Sequence, residues 1–338
     1  MHDSRETAYS LVNPMSKDPL VLPASLERLG QELHRPECVL PMPSGDVFVP
    51  DWRGGVTVIR TDGSQETWLG RTHDVELRPN GIALTPDGAF LIANLGEAGG
   101  VWRLGYDGTI SPFVTEVDGT PLPPANFVVT DRHDRTWISV STRRTPRQEA
   151  WRPDVADGFI VLRDDHGSRI VADGLRYTNE VRPDPSGVWL YAVETFGRRV
   201  VRFPIKPAGE LGPAEQVVTF GRGSFPDGFA FDEEGGLWVT SLVSNRLLRF
   251  ADGEITTVLE DSDERFVDAA EVAFEAGQMN AVHLGKMPRT TLQQLTSVAF
   301  GGPDRQSVYL GSLHASCVYR FRASVRGAPA DHWEFQAP

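Results

Sequence analysis

Cysteine is nearly absent from this chain. Cys38 and Cys317 are the two present, too few for a disulfide framework, and both are expected as reduced thiols in strands. No stretch approaches the 18 consecutive apolar residues of a membrane span. The opening residues, Met1-His2-Asp3-Ser4-Arg5-Glu6, lack a basic region leading into an apolar run, so no signal peptide is expected. The cytoplasm is then the default location. Positive charge is in deficit: 33 Lys and Arg against 46 Asp and Glu give a net charge of −13 and a pI near 5.1. Nucleic acid and anionic membrane are poor partners for such a surface. There is no phosphate loop, no strand-linked dinucleotide fingerprint and no strong nucleophilic triad. Pairs such as Gly311-Ser312 lack the strand-to-helix elbow that a hydrolase serine needs. What remains open is a soluble protein that takes a cation or a small-molecule ligand.

What the chain does have is a repeat. A hydrophobic-aromatic strand recurs as Val47-Phe48-Val49, Phe90-Leu91-Ile92, Trp137-Ile138-Ser139, Trp189-Leu190-Tyr191, Trp238-Val239-Thr240 and Tyr309-Leu310-Gly311. The steps from Phe48 to Phe90, Trp137, Trp189, Trp238 and Tyr309 are 42, 47, 52, 49 and 71 residues. Periods of roughly 40 to 50 residues built from short strands mark β-propeller blades. The expectation is an all-β fold, a six-bladed propeller, over residues 22–338. A loosely attached tail is expected over 1–21, and an insertion over 262–294 between blades 5 and 6. Within the insertion Asp268 to Phe274 reads as a short helix near the channel mouth, where it would suit a lid or simply decorate the surface. Leu22 to Leu33 is expected to lend an outer strand to the last blade, because closing the ring removes exposed edges.

In each blade the inner strand starts on one face of the disc, and the turn between second and third strands returns to that face. Residues entering the inner strands therefore surround one end of the channel. Lined up by blade they are Glu37, Asn80, Asn126, Asn179, Asp227 and Ser297. Singly, each has a bland explanation, since Asn-Gly and Pro-Asp-Gly are common turn signals. Their register argues otherwise. In blade 5 the hairpin is already supplied by Glu233-Glu234-Gly235-Gly236, and in blade 4 by Asp184-Pro185-Ser186-Gly187. Asp227 and Asn179 thus belong to the channel end. Carboxylates and amides in one ring suit a hard divalent cation, which would balance Glu37 and Asp227. Without His or Cys in the ring, a structural zinc site is not expected. The rim should come from Asp51-Trp52-Arg53, Asn94, Thr142-Arg143-Arg144, Glu194-Thr195-Phe196, Ser241 and His314. Arg143 could hold a carboxylate, Trp52 and Phe196 could stack on a ring, and His314 could move protons. The loop from Thr142 to Gly158, with Arg143, Arg144, Arg147 and Arg152, is the best candidate for substrate selection, and a solvated loop is the alternative reading for it and for each rim residue.

From about Pro36 to Phe321 the chain resembles the senescence-marker-protein (regucalcin), gluconolactonase and luciferin-regenerating-enzyme family, six-bladed propellers that also resemble diisopropyl fluorophosphatase. The pieces that carry this are Glu37 opening blade 1, Asn126 opening blade 3 and Asn179 opening blade 4. To them are added Pro226-Asp227-Gly228 with Leu237-Trp238-Val239 in blade 5, and Thr296 to Gly302 in blade 6. The resemblance implies one divalent metal held by Glu37, Asn179 and Asp227, with Asn126 a further ligand or a substrate contact and Asn80 on the substrate side. Two departures stand out. Glu37-Cys38-Val39 replaces the usual Glu-Gly-Pro, and Glu180 follows Asn179 where the family often has glycine, which adds a carboxylate and bears on charge balance. The leading reading is a metal-dependent lactonase with Asp227 as general base and Glu180 or Glu194 in reserve. Calcium is the first ion expected, with magnesium, manganese, zinc and ferrous iron open. Phosphotriester hydrolysis, or hydration or elimination on a hydroxy-carbonyl compound, would use the same site. A propeller that only binds protein or metal is the alternative of a different class.

Overall fold

The computed structural model describes residues 20–71 and 75–335. Six four-stranded antiparallel sheets radiate around a channel. Their second strands are Val47–Asp51, Phe90–Asn94, Thr136–Val140, Trp189–Glu194, Leu237–Val243 and Ser307–Ser312, each enclosing the hydrophobic-aromatic triplet read from the sequence. The inner strands are Leu40–Pro41, Pro79–Leu84, Phe127–Thr130, Thr178–Pro183, Ser224–Phe231 and Leu295–Gly301. Neighbouring inner strands touch from blade 2 round to blade 6, that of blade 6 meets that of blade 1, and blade 1 meets the inner strand of blade 2 through Val47–Asp51. The fold is a six-bladed β-propeller.

Closure uses the N-terminal segment as expected. Glu27–Leu29 pairs antiparallel with Val318–Arg322, with Arg28 opposite Tyr319, and so becomes the outer strand of blade 6. The expected tail lies outside the described residues apart from residues 20 and 21. Val21 bridges Leu259 of blade 5, and its N–H donates to Val258 O at 2.8 Å.

The core is divided into wedges between blades, and aromatic residues fill them. Phe48, Trp68, Phe90 and Tyr106 pack between blades 1 and 2, Tyr191, Phe229 and Phe231 between 4 and 5, and Trp238, Phe300 and Phe321 between 5 and 6. Such pairs add roughly 0.5–1.5 kcal/mol each beyond area burial. Two of the tryptophans also carry a polar tie. Trp137 Nε1 donates to Asp131 and Trp238 Nε1 to Asp232, both at 2.9 Å. Each aspartate, set in the hairpin after an inner strand, also accepts from an arginine, Arg135 or Arg249, and from backbone N–H groups of its own turn.

The far end of the channel is stopped by the C-terminal segment. His332 Nε2 and Trp333 Nε1 both reach Pro41 O, at 3.0 and 2.9 Å, and burial pushes the His332 imidazole down to about 4. A hollow of about 100 Å³ at this end has mainly apolar walls, among them Val39, Leu84, Phe127 and Phe300. No helix among the described residues is long and apolar enough to cross a membrane.

The insertion carries a longer helix than its sequence suggested, Glu264–Glu275, capped by Asp263, whose carboxylate accepts from Arg265 N. Its buried face is Val267, Ala270, Glu271 and Phe274. Phe274 stacks on Phe196 and meets Phe225 edge-on, while Glu271 takes both oxygens to Arg198 at 2.9 Å.

Trp238→Phe keeps the ring and removes the indole donor to buried Asp232. Unfolding in urea is expected to show a loss of about 1–3 kcal/mol; a change below about 0.3 kcal/mol would mean that the tie adds nothing to the wedge.

Candidate functional site

Local strand geometry places the channel-end residues in an unanticipated way. In blades 2, 4, 5 and 6 the inner strand begins before the site residue, and its pairing with the second strand skips register between Pro79 and Ile82, Thr178 and Val181, Pro226 and Phe229, and Leu295 and Val298. Asn80, Asn179, Asp227 and Ser297 therefore sit in β-bulges inside the strands, not ahead of them. A bulge frees residues from the ladder and re-aims their side chains. Glu37 and Asn126 stand just before short inner strands.

Glycine at two bulges answers a packing need, not a turn. A Cβ on Gly81 would lie 2.7 Å from Phe127 Cα in blade 3, and one on Gly228 would lie 2.4 Å from Thr296 O in blade 6. Adjacent inner strands approach too closely there for any side chain. Hydroxyls lace the same seam. Thr296 Oγ1 donates to Glu37 O at 2.6 Å, and Thr240 Oγ1 to Thr296 O at 2.7 Å.

Glu37, Asn80, Asn126, Asn179, Glu180 and Asp227 line one small cavity, of about 10 Å³, at this end of the channel. Asn126 Nδ2 donates to Ser141 Oγ at 2.9 Å and Asn179 Nδ2 to Thr195 Oγ1 at 3.1 Å, so each amide nitrogen is held back by a hydroxyl. Asn80 is arranged the other way. Its Nδ2 donates to Glu37 Oε1 at 2.9 Å and to Asn126 O at 2.9 Å, and its Oδ1 accepts from Arg35 Nη1 at 2.8 Å. Glu37 Oε2 is buried with no hydrogen-bond partner. Asp227 accepts no hydrogen bond from the described residues. Burial raises both carboxyls, Asp227 well above its usual range, and the charge of Glu37 adds to the rise at Asp227. Among the described residues no cluster of three or more His, Cys, Asp or Glu is arranged to hold an ion. The ring is instead two carboxylates with amides.

Glu180 faces a different environment. Oε2 accepts from Arg182 Nη2 at 2.9 Å, Arg182 Nε at 3.1 Å and Phe229 N at 3.4 Å, while Oε1 accepts from Ser297 Oγ at 3.0 Å. Its Oε1 lies 2.6 Å from where a Cβ on Gly228 would stand, so the missing side chain of blade 5 makes room for the added carboxylate of blade 4. Arg182 in turn lies over the Phe127 ring at 4.8 Å.

The remaining rim residues do not line this cavity. Trp52 lies between two guanidiniums, with Arg35 at 4.3 Å and Arg78 at 5.6 Å from its ring. Arg143 is exposed, paired with Asp173 at 2.8 Å and lying over Phe159. Glu194 is fully buried, bonded to Arg199 and to Arg176 N. Phe196 belongs to the apolar cluster with Tyr177, Phe225 and Phe274. His314 Nε2 lies 2.7 Å from Leu284 O in the insertion, and burial lowers its pKa. Sequence reasoning gave Arg35 no role, and named Arg147 only as one of the arginines of the candidate substrate-selection loop. Arg35 adjoins the blade 1 signature directly, but its conformation, at a φ of 57°, has no sequence cue. Arg147 was one of four arginines in a single loop, and nothing in their spacing distinguished it.

A six-bladed propeller with an oxygen-ringed channel end defines the class. The chain belongs to the SMP-30/gluconolactonase/LRE-like family, whose model matches residues 56–264. A curated relative, the 6-deoxy-6-sulfogluconolactonase of Pseudomonas putida, is 25% identical over 195 residues, 52% of this chain and 57% of that protein. The match thus spans little more than half the length of the curated relative. A gluconolactonase from Xanthomonas campestris has the same fold at 19% identity, with a TM-score of 0.65 over 88% of this chain and 89% of that one. A calcium-binding regucalcin from Agrobacterium tumefaciens is similar at 16% identity and a TM-score of 0.63, over 92% and 96% of the two chains.

Removing the Glu180 carboxylate would leave Arg182, whose side chain is 18% exposed, without its ion-pair partner. Glu180→Ala is expected to destabilise by about 3–5 kcal/mol in urea; a loss below 1 kcal/mol would show that Arg182 finds water or another partner.

Proposed function

We propose that the protein is a divalent-metal-dependent lactonase working at the channel end ringed by Glu37, Asn126, Asn179 and Asp227. The observation that carries this reading is an oxygen without a hydrogen bond: Glu37 Oε2 is buried with no donor, Arg35 Nη1 standing 3.6 Å off, beside the buried carboxylate of Asp227. Buried polar atoms are nearly always satisfied, and an exception calls for a missing ligand. The donor set fits a hard cation: two carboxylates, and two amides whose nitrogens are tied back to Ser141 and Thr195. Glu37, Asn179 and Asp227 would be ligands, with Asn126 beside them. Calcium is the first ion to test, and magnesium, manganese, zinc and ferrous iron suit oxygen donors as well.

Such an ion would supply Lewis-acid polarisation of a lactone carbonyl. The chain's own residues do the rest. Asp227, with lone pairs free of protein donors, is placed to take the proton from a water that adds to the carbonyl carbon. That proton then goes to the ring oxygen as its bond to carbon breaks, giving a hydroxy acid. Asn80 fixes Glu37 through Oε1 and leaves Oε2 free. Glu180, with both oxygens engaged, is assigned to holding Arg182 and the blade 4–5 seam, not to proton transfer. The lactonase name of the Pseudomonas putida relative supports the reaction class. The partner is a small lactone.

The wild type purified without added metal is expected to hold one equivalent of divalent metal and to release acid from a lactone panel in a pH-stat. Asp227→Ala should lose both, and Asp227→Asn should lower turnover by at least about 100-fold. Wild type that takes up no ion from calcium, manganese or ferrous solutions would sink the proposal.

A further inference from the structure

Two guanidinium groups converge on the channel mouth with most of their donors unused. Arg35 Nη1 donates to Asn80 Oδ1 and stands 3.6 Å from Glu37 Oε2. Its plane lies over Trp52, which limits how the group can swing. Arg147 reaches in from the blade 3 loop, where Nη2 donates to Ser141 Oγ at 3.1 Å and the group lies over the Tyr177 ring at 5.4 Å. Ser141 Oγ also accepts from Asn126 Nδ2 at 2.9 Å, so Arg147 stands one residue from the ring, and its charge is felt at Glu37, at Asp227 and at Arg35 itself. Of the five N–H donors on each guanidinium, these contacts occupy very few.

Each arginine is held there at some expense. Arg35 adopts a φ of 57°, a left-handed conformation rare for a side-chain-bearing residue. It also precedes Pro36, a place that favours extended backbone. Backbone strain of this kind persists where function requires it. Arg147 begins the short turn Arg147–Ala150, and that loop is fastened by Trp151 Nε1 donating to Tyr177 Oη at 2.9 Å and by Ala150 in the apolar cluster under the inserted helix.

Charge decides what the pair is for. Glu180 and Arg182 neutralise each other below the ring. If Glu37 and Asp227 balance a divalent cation, as the lactonase reading requires, Arg35 and Arg147 remain as two uncompensated positive charges in a low-dielectric mouth. We propose that they bind a carboxylate carried by the substrate, so that the preferred lactone is an anionic one, with Arg35 and Arg147 as its specificity-determining residues. This rests on the lactonase reading for the position of the ring, and on the arginines for the charge. A planar carboxylate matches the guanidinium fork, and such pairs are stronger than neutral hydrogen bonds.

Binding rather than turnover tests it. The calcium-loaded protein is titrated calorimetrically with 5-oxopyrrolidine-2-carboxylate, a stable lactam shaped like a five-membered lactone acid, and with its neutral carboxamide. The carboxylate is expected to bind at least tenfold more tightly. Arg147→Gln and Arg35→Gln should each bring the two affinities within about twofold, while Arg144→Gln, an exposed residue of the same loop, should keep the preference. Should Arg35→Gln fail to fold, Arg147→Gln decides the matter, because its loop is fastened independently. Equal affinities in the wild type, no carboxylate binding at millimolar concentration, or a preference that survives Arg147→Gln would each overturn the proposal. A carboxylate preference without hydrolysis of any lactone would leave the anion site standing and remove the lactonase reading. Lactone hydrolysis with equal affinities would do the reverse.

Discussion

Two buried carboxylates share the channel end, and Glu37 Oε2 has no hydrogen-bond donor there, only the Arg35 guanidinium 3.6 Å away. Burial raises the proton affinity of both, and their mutual repulsion raises it further at Asp227. An arrangement of this kind is unfavourable unless something positive completes it. Much of the surrounding structure serves to hold it. Asn80 pins Glu37, Ser141 and Thr195 hold two amide nitrogens away from the centre, and bulges in successive inner strands turn the side chains inward. The glycines beside Asn80 and Asp227 let neighbouring strands approach closely enough for one cavity to gather residues from all six blades.

The added charge of Glu180 is absorbed locally. Its carboxylate occupies the space left by Gly228 and pairs with Arg182, though its charge is still felt at Glu37 and Asp227. On the solvent side the roles are reversed, with Arg35 and Arg147 bringing positive charge to carboxylates that a cation would already balance. The channel is thus layered: an ion pair below, an oxygen ring in the middle and two guanidiniums above.

The blade repeat was legible because it rests on short-range chemistry. Alternating strands, Asp-Gly turns and an aromatic every 42 to 52 residues survive any change at the site, and the closing strand near Leu29 followed from the need to cover an edge. The ring positions were legible too, once their register was compared with hairpins such as Glu233 to Gly236. What could not be read was geometry set by tertiary contact. The bulges at Asn179 and Asp227, the tie of Glu180 to Arg182 and the left-handed turn at Arg35 arise from packing between blades. Glu194 illustrates the limit. It sits one residue past a second-strand core, as a rim residue should, yet its carboxylate is taken by Arg199 and a backbone N–H of its own blade.

The most direct test of the central claim is an anomalous difference map from crystals grown with manganese. The account predicts a single strong peak between Glu37, Asn179 and Asp227, with Glu37 Oε2 within bonding distance of it. A map without a peak there, or with manganese bound only elsewhere, would contradict the claim that these oxygens are arranged around a cation.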